Sequence, residues 1–216
     1  MDGNDHWFFK FTDLKPGDIG EDTISLTVHD NDSWACANVK ITENLDNSCT
    51  EPELDDDEDC NEDQNTAGEL PEYLSFVWWP DDGDNVLETD EVDLVFFKYG
   101  KLSDMLVDNE MKLTLADKTL NFFDKTAPGT PLKGETPYYI GKGWCFGDMT
   151  LQAVPDKDDD DVDINTNPVE RKATGFVCSG LNTNNAAQTD SITADVSFYA
   201  VQTRHYAEFV CPDSFR

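Results

Sequence analysis

Basic residues are scarce in this sequence, and their scarcity narrows the range of partners. The 216 residues include 15 Lys and Arg against 46 Asp and Glu, so the formal net charge is -31. Such a field repels phosphate backbones and anionic lipid surfaces, so we expect neither a nucleic-acid partner nor membrane insertion. The same field attracts cations. The compact state therefore needs salt, a divalent metal or a basic partner to offset its self-repulsion.

Histidine is scarcer still, and the signatures of catalysis are missing. His6, His29 and His205 lie far apart, no His-Glu-x-x-His motif occurs, and no Cys-x-x-Cys pair suggests zinc. A glycosidase-type carboxylate pair needs an apolar pocket that raises one pKa, and the sequence indicates no such pocket. We therefore predict a protein without enzymatic activity.

Long apolar runs are also absent. No stretch of 18 apolar residues occurs, so no transmembrane helix is expected. No signal peptide is visible either, and the beginning Met1-Asp2-Gly3 is interpreted as that of a mature or trimmed chain. Six cysteines in a polar, Asp- and Asn-rich chain indicate three disulfides and an extracellular protein.

The positions of the cysteines favour one set of pairs. Cys145 and Cys178 each end or follow a predicted strand beside aromatic residues, so we predict that they pair. Cys49 and Cys60 share one acidic loop and form the second predicted pair. The predicted pairs are therefore Cys145–Cys178, Cys49–Cys60 and, from the two that remain, Cys36–Cys211.

Helical periodicity of normal length is missing, whereas strand periodicity recurs. The first ten residues of the segment 191–202 alternate strictly, with one side formed by Ile192, Ala194, Val196, Phe198 and Ala200. Further strands are predicted at residues 7–11, 23–29, 34–41, 73–79, 93–99, 112–115, 119–123, 138–145, 150–154 and 173–178, and Ser103 is predicted to cap a short helical turn. Strands at such regular spacing predict an all-β fold, a β-sandwich or jelly roll with long acidic loop insertions.

The chain is expected to form one domain over residues 1–216. Residues 46–134 are interpreted as an elaborated insertion between an early and a late β-block. The sequence Asn31-Asp32-Ser33 is an N-glycosylation sequon. A plain turn at Asn31 is the preferred interpretation.

Acidity of this degree has two explanations, a salt-adapted surface or local cation binding. Salt-adapted proteins usually contain few lysines, whereas 12 of the 15 basic residues here are lysine. The acids are bunched in residues 55–59, 81–84 and 156–163. Bunching favours cation binding, and calcium is the predicted ion because it prefers hard oxygen ligands.

Residues 81–91 are the strongest candidate for a calcium loop. Their oxygen donors match positions three, five, seven, nine and twelve of the twelve-residue calcium loop, and these are Asp82, Asp84, the Val86 carbonyl, Glu88 and Glu91. Asn85 takes the place of the usual glycine and tolerates a left-handed backbone. Position one of the loop is Pro80, which has no side-chain oxygen. Asp81 can take that position only if the alignment with the calcium loop is shifted by one residue. A solvated acidic hairpin is the alternative interpretation.

Tryptophan could provide a sugar-binding platform or simply a core. Trp78 and Trp79 are adjacent, so in a strand they point to opposite faces, and one of them is expected to face outward. Trp34 and Trp144 are the other candidates for stacking on carbohydrate. Core packing with an interface contact is the preferred interpretation.

Two motifs carry a resemblance to a known family. A turn motif is followed by a threonine-containing strand at residues 23–28, and the turn is Leu14-Lys15-Pro16-Gly17-Asp18, which has the type II pattern. The alternating C-terminal strand ends in Ala200-Val201-Gln202. In order and separation these blocks resemble the TasA/camelysin family, exported proteins with a SipW-type signal peptide, over about a third of the chain. The six cysteines and the acidic insertions depart from the family pattern.

The resemblance implies a structural rather than an enzymatic role. Several members polymerise into extracellular biofilm or pilus-like fibres. The resemblance implies a subunit that assembles with copies of itself. Each copy would accept an N-terminal strand from its neighbour, and this strand would lie beside the sheet of residues 191–202 or the sheet of residues 23–28. Restoring upstream residues is expected to convert short species to filaments. A secreted calcium-dependent module that binds carbohydrate or a cell surface is the alternative function.

Overall fold

Strands form most of the regular structure of the chain. The computed structural model describes residues 8–57, 60, 67–92, 99–155 and 173–212. In chain order the elements are β1 (Phe9–Thr12), β2 (Ile19–Val28), β3 (Ser33–Leu45), α1 (Leu70–Tyr73), β4 (Leu74–Asp81), α2 (Thr89–Val92), β5 (Tyr99–Lys101), α3 (Leu102–Met105), β6 (Glu110–Ala116), β7 (Thr136–Phe146), β8 (Asp148–Leu151), β9 (Phe176–Ser179) and β10 (Ser191–Gln202). The predicted all-β class is confirmed.

Two four-stranded sheets carry the fold, one with the order β1-β10-β3-β6 and one with the order β2-β7-β4-β5. A two-stranded sheet of β8 and β9 accompanies them. The strand pairs between described residues are antiparallel throughout. Residues 46–134, predicted as an insertion, supply β4, β5 and β6 and so contribute strands to both large sheets.

The main core lies between the two large sheets and is strongly aromatic. Phe9 and Phe11 of β1 pack against Phe76 of β4, and the ring of Trp144 lies 4.6 Å from that of Phe11 between centroids. Aromatic rings bury large apolar areas, so these contacts supply much of the driving force for joining the sheets. Lys142 is buried beside them and pairs with Asp22 at 2.8 Å.

β4 is buried along its whole length, which corrects one prediction. Trp78 belongs to the main core and Trp79 to a second cluster, so the adjacent side chains do point to opposite faces. Neither faces outward, however, because Met149 and Phe176 of the β8–β9 sheet cover Trp79. Trp34 is buried as well. These three tryptophans are therefore core residues and form no sugar-binding platform.

The alternation predicted for β10 corresponds to burial only in its first half. Ile192 and Ala194 are fully buried, but Phe198 is 43% exposed. Thr193, predicted on the polar side, is also buried, and its hydroxyl bonds that of Thr42 at 2.9 Å. A register shift against β3 lies between Thr193 and Ala194 and breaks the period of two.

Several local predictions can be compared directly with the structure. The type II turn is confirmed, because Gly17 has φ +96 and the Asp18 N–H donates to the Lys15 carbonyl at 2.8 Å. The cap at Ser103 is wrong, because α3 begins at Leu102 and its N-cap position is Lys101. Asn31 lies in the turn between β2 and β3, where its N–H donates to the His29 carbonyl at 2.8 Å.

The strand predicted at residues 119–123 is wrong, and the cause is a competing side chain. One carboxylate oxygen of Asp117 accepts the N–H groups of Thr119 and Leu120 at 2.7 and 3.0 Å. Such local side-chain bonds offer the backbone an alternative to a strand ladder. Only an isolated bridge between Ala116 and Asn121 remains in this segment. Of the strand predicted at residues 93–99, residues 93–98 lie outside the described residues.

Three disulfides close the fold, and the three pairs are those predicted. Cys36–Cys211 joins β3 to the C-terminal segment, Cys145–Cys178 joins β7 to β9, and Cys49–Cys60 closes the acidic loop after β3. Such bonds persist in oxidising surroundings, so the structure supports an oxidising, extracellular type of environment. None of the short helices in the described ranges has the length and hydropathy needed to cross a bilayer.

We expect no free thiol in the oxidised protein, because all six cysteines are paired. The measurement is a thiol assay in denaturant without reductant on protein purified under oxidising conditions. The same sample after reduction provides the positive control. Two or more reactive thiols per chain before reduction would refute the three-bond framework.

Candidate functional site

The loop after β4 contains the strongest cluster of functional groups predicted from the sequence. Asp81 ends β4, and Glu91 lies in the short helix α2. Between them Gly83 and Asn85 have φ values of +118 and +63 and allow the chain to turn back on itself. The left-handed backbone predicted for Asn85 is confirmed. This turn brings the end of β4 next to the first turn of α2.

Three carboxylates converge at this turn. Asp81, Asp82 and Glu91 each contribute one oxygen to a group in which all three atoms lie within 4.8 Å of one another. Asp81 and Glu91 are buried, whereas Asp82 is exposed. The arrangement is open to solvent on one side, as an ion would require for entry.

The main chain holds these carboxylates in place. The two oxygens of Glu91 accept the N–H groups of Asp82 and Glu88, at 3.1 and 2.9 Å. Asp81 Oδ2 accepts the Thr23 hydroxyl at 3.1 Å, and its Oδ1 accepts the Trp79 indole N–H at 3.1 Å. Asp81 Oδ2 also accepts the Gly83 and Asn85 N–H groups, so the capacity left for a cation lies on Asp81 Oδ1 and on the Glu91 oxygens.

Burial makes both inner carboxyls reluctant to ionise. Removal from water, followed by the charges of Asp82 and Asp84, raises the pKa of Asp81 to about 6 against the opposing bond from the Asn85 N–H. Removal from water also raises the pKa of Glu91 to about 10, with added repulsion from Asp81 and Asp82. A divalent cation would relieve this repulsion, because it supplies the missing opposite charge.

The six predicted metal ligands are only partly brought together. Asp81, Asp82 and Glu91 form the group described above, whereas the carboxylates of Asp84 and Glu88 fall outside it. Asp84 Oδ1 instead accepts the Val86 N–H at 2.8 Å, while its own N–H donates to Asp82 at 3.0 Å. These short-range contacts direct side chains to the loop's own backbone. Asp81, which could take position one of the predicted loop only by a shift of register, belongs to the group of three carboxylates.

A cleft of about 340 Å³ opens beside the three carboxylates, and Asp90, two prolines and three aromatic residues complete its lining. The ring centroids of Phe123 and Tyr138 lie 4.8 Å apart there, and Tyr139 also lines the cleft. The sequence did not connect these aromatic residues with the acidic loop, because they lie far away along the chain. The pairing of β7 with β4 sets Tyr139 opposite Asp81.

Other predicted sites have no comparable geometry. The acidic residues 156–163 lie outside the described residues, as do residues 58 and 59 of the run 55–59. Asn31 occupies its predicted turn, and its glycosylation stays a prediction. The described ranges otherwise hold one more group of carboxylates, at the start of β10.

Comparison with known proteins gives no assignment. The sequence matches no protein-family model, and no curated protein is significantly similar to it. Function is therefore argued from the chain's own geometry.

Proposed function

We propose that this protein is a structural subunit of an extracellular filament, assembled by the addition of a strand from one copy to a sheet of the next. The observation that carries the proposal is the position of β2. It is ten residues long, lies at the edge of its sheet, and pairs with β7 on one side. No described residue pairs with its outer side. An edge of this length presents a row of unpaired backbone groups to another strand.

The register identifies which backbone groups point outward. The Phe146 N–H donates to the Asp18 carbonyl at 2.8 Å, and the pairing of β2 with β7 continues from there without a register shift. In an antiparallel ladder, hydrogen-bonded and non-hydrogen-bonded residues alternate. The residues with outward N–H and C=O groups are therefore Ile19, Glu21, Thr23, Ser25 and Thr27.

Of the two acceptor sheets expected from the sequence, the β2 sheet offers the longer described edge. β1 covers only residues 191–194 of β10, so no strand of the described residues covers that side of residues 195–202, whereas β2 is an edge strand over all ten of its residues. Strand addition at β2 would use main-chain hydrogen bonds for affinity. The contact would join two different surfaces, so it would propagate into an open filament. The family resemblance of residues 14–28 and 191–202 supports the same mode of assembly.

Replacement of Ser25 by proline should stop assembly. Ser25 is exposed and its N–H points outward, so Ser25→Pro removes a donor from the edge and leaves the ladder with β7 intact. With the donor segment present, we expect filaments in the wild-type protein and in the matched control Ser25→Ala, and short species in Ser25→Pro. Sedimentation and negative-stain electron microscopy at equal calcium give the measurement.

Two outcomes would contradict the proposal. Filaments of equal length from Ser25→Pro and Ser25→Ala would show that the β2 edge is not the acceptor. A wild-type protein that stays monodisperse even with the donor segment present would exclude assembly by strand addition. Near-ultraviolet circular dichroism of each variant establishes that the fold is retained.

A calcium-dependent binding module is the second candidate, and the cleft beside Asp81 favours it. An ion held by Asp82 and Glu91 would lie next to the rings of Tyr138 and Tyr139. Ion and rings together could bind a polar ligand with an apolar face, such as a carbohydrate. Calcium-dependent glycan binding by a monodisperse protein would favour this function over the filament.

A further inference from the structure

A second acidic group lies where β3 ends and β10 begins. Asp46 follows β3, Asp190 precedes β10, and Glu53 belongs to the loop closed by Cys49–Cys60. One carboxylate oxygen from each of the three acids lies within 4.8 Å of the other two. All three are buried: Asp46 and Asp190 are 2% exposed and Glu53 is 0% exposed. Tertiary folding thus buries three acids from separate segments in one place.

Backbone donors orient two of these carboxylates and use only one oxygen of each. Glu53 Oε2 accepts the Thr50 N–H at 3.1 Å. Asp190 Oδ2 accepts the N–H groups of Glu69 and Leu70 at 2.6 and 3.2 Å. The remaining oxygens, Glu53 Oε1 and Asp190 Oδ1, are buried and meet no hydrogen-bond donor within the described ranges. Buried acceptors without a donor are rare, and a bound ion is one explanation of them.

Two of the three acids, Glu53 and Asp190, have no ionic partner among the described residues. No ion pair between described residues involves Glu53, Glu69 or Asp190. Burial, followed by the charges of Asp46 and Glu53, raises the pKa of Asp190 to about 7 against the bonds from the Glu69 and Leu70 N–H groups. Several carboxylates that share a buried site cannot all ionise unless a cation joins them.

We propose that Asp46, Glu53 and Asp190 bind one divalent cation of the hard, oxygen-preferring class, with calcium as the expected ion. The donor set consists of carboxylate oxygens, which suit calcium better than zinc. Cys49 and Cys60 lie next to the group but form a disulfide, so they offer no thiolate to a softer metal.

The expected role of this ion is structural. It would connect the Cys49–Cys60 loop to the beginning of β10, where Asn47 Nδ2 already donates to Ser191 Oγ at 2.8 Å. The ion would also neutralise charge inside a protein whose net charge is -31. It is distinct from an ion at the Asp81 loop, because it draws on different segments and stands whether or not filaments form.

The test uses calcium chloride and the full chain after removal of metal by a chelator. The variant Glu53→Gln with Asp190→Asn removes two charges but keeps oxygens that can accept the backbone N–H groups. Calorimetric titration should show one ion fewer per chain than in wild type. Glu51→Gln, an exposed acid two residues from Glu53, is the matched control and should bind calcium as wild type does.

Thermal melts separate metal binding from a merely structural role. In chelator the double variant should melt at a higher temperature than wild type, because it lacks the repulsion between the buried carboxylates. In calcium it should melt at a lower temperature than wild type, because it cannot bind the stabilising ion. If the double variant fails to fold, the single variant Glu53→Gln replaces it and is expected to weaken calcium binding at this site about tenfold. A variant that binds as many calcium ions as wild type, with the same affinity, would overturn the proposal.

Discussion

Calcium chelation is expected to lower the melting temperature of the wild-type protein. Loss of one ion from the loop of residues 81–91 should account for part of this decrease. An ion present at a hundred times its Kd stabilises the folded state by about 2.7 kcal/mol. For a chain of this size that corresponds to roughly 5–10 °C per site. Asp82→Asn combined with Glu91→Gln should remove this contribution, as measured by calorimetry with and without chelator at fixed ionic strength.

The matched control for this experiment is Asp90→Asn. Asp90 is exposed and adjacent to Glu91, but it lies outside the group of three carboxylates. Its replacement should leave the calcium response unchanged. Equal responses in Asp90→Asn and in the Asp82→Asn, Glu91→Gln variant would argue against an ion at this loop, even if another site binds calcium.

The size of the calcium response should also depend on pH. The pKa of Asp81 rises from 3.8 to about 6 in the folded protein, so without metal the folded state holds a proton that the unfolded state has lost. The stability contributed by that proton is present below about pH 4 and disappears as pH rises through about 6. Calcium replaces the proton, so the gain in melting temperature should be larger at pH 8 than at pH 5. An equal gain at both values would contradict displacement of protons by the ion.

Removal of the Cys36–Cys211 bond should destabilise the protein more than removal of Cys49–Cys60. The first bond joins residues 175 apart in sequence and the second joins residues 11 apart. In the chain-entropy account a longer closed loop restricts the unfolded chain more, which gives about 5 kcal/mol for the first bond and about 3 kcal/mol for the second. Chemical denaturation of the two double-alanine variants measures both free energies of unfolding.

The reduced wild-type protein is the control for this comparison, because it lacks all three bonds but keeps every side chain. It should be less stable than either variant. Equal stability of the two double-alanine variants would show that strain or residual structure in the unfolded state outweighs loop length.

Local patterns in the sequence were sufficient for the fold class and for several turns. Alternation of apolar residues in β2 and β10 depends only on the geometry of an extended chain, and the Pro16-Gly17 turn depends only on the φ preferences of two residues. The cysteine pairs were predicted from positions beside the strands and in one shared loop, and the third pair followed by elimination. The strand predicted at residues 119–123 failed because a single carboxylate, Asp117, competed for the same backbone groups.

The candidate site could be predicted only in part. The acidic loop was visible because its ligands lie within eleven residues of one another. The group of Asp46, Glu53 and Asp190 was not visible, because Asp46 and Asp190 are far apart in sequence and neither belongs to a recognisable motif. Their proximity follows from the pairing of β3 with β10, which matches Leu45 to Ser191.

The sequence by itself therefore determined the all-β class, the predicted cysteine pairs and the net charge of -31, because composition and short-range patterns carry that information. Only the tertiary structure decided which strand lies at a sheet edge, which tryptophans are covered, and which carboxylates meet. The physical reason is that edges, burial and metal-ligand groups are produced by contacts between distant segments. Such contacts depend on strand order and register, and no local pattern in the chain encodes the order of β2, β7 and β4.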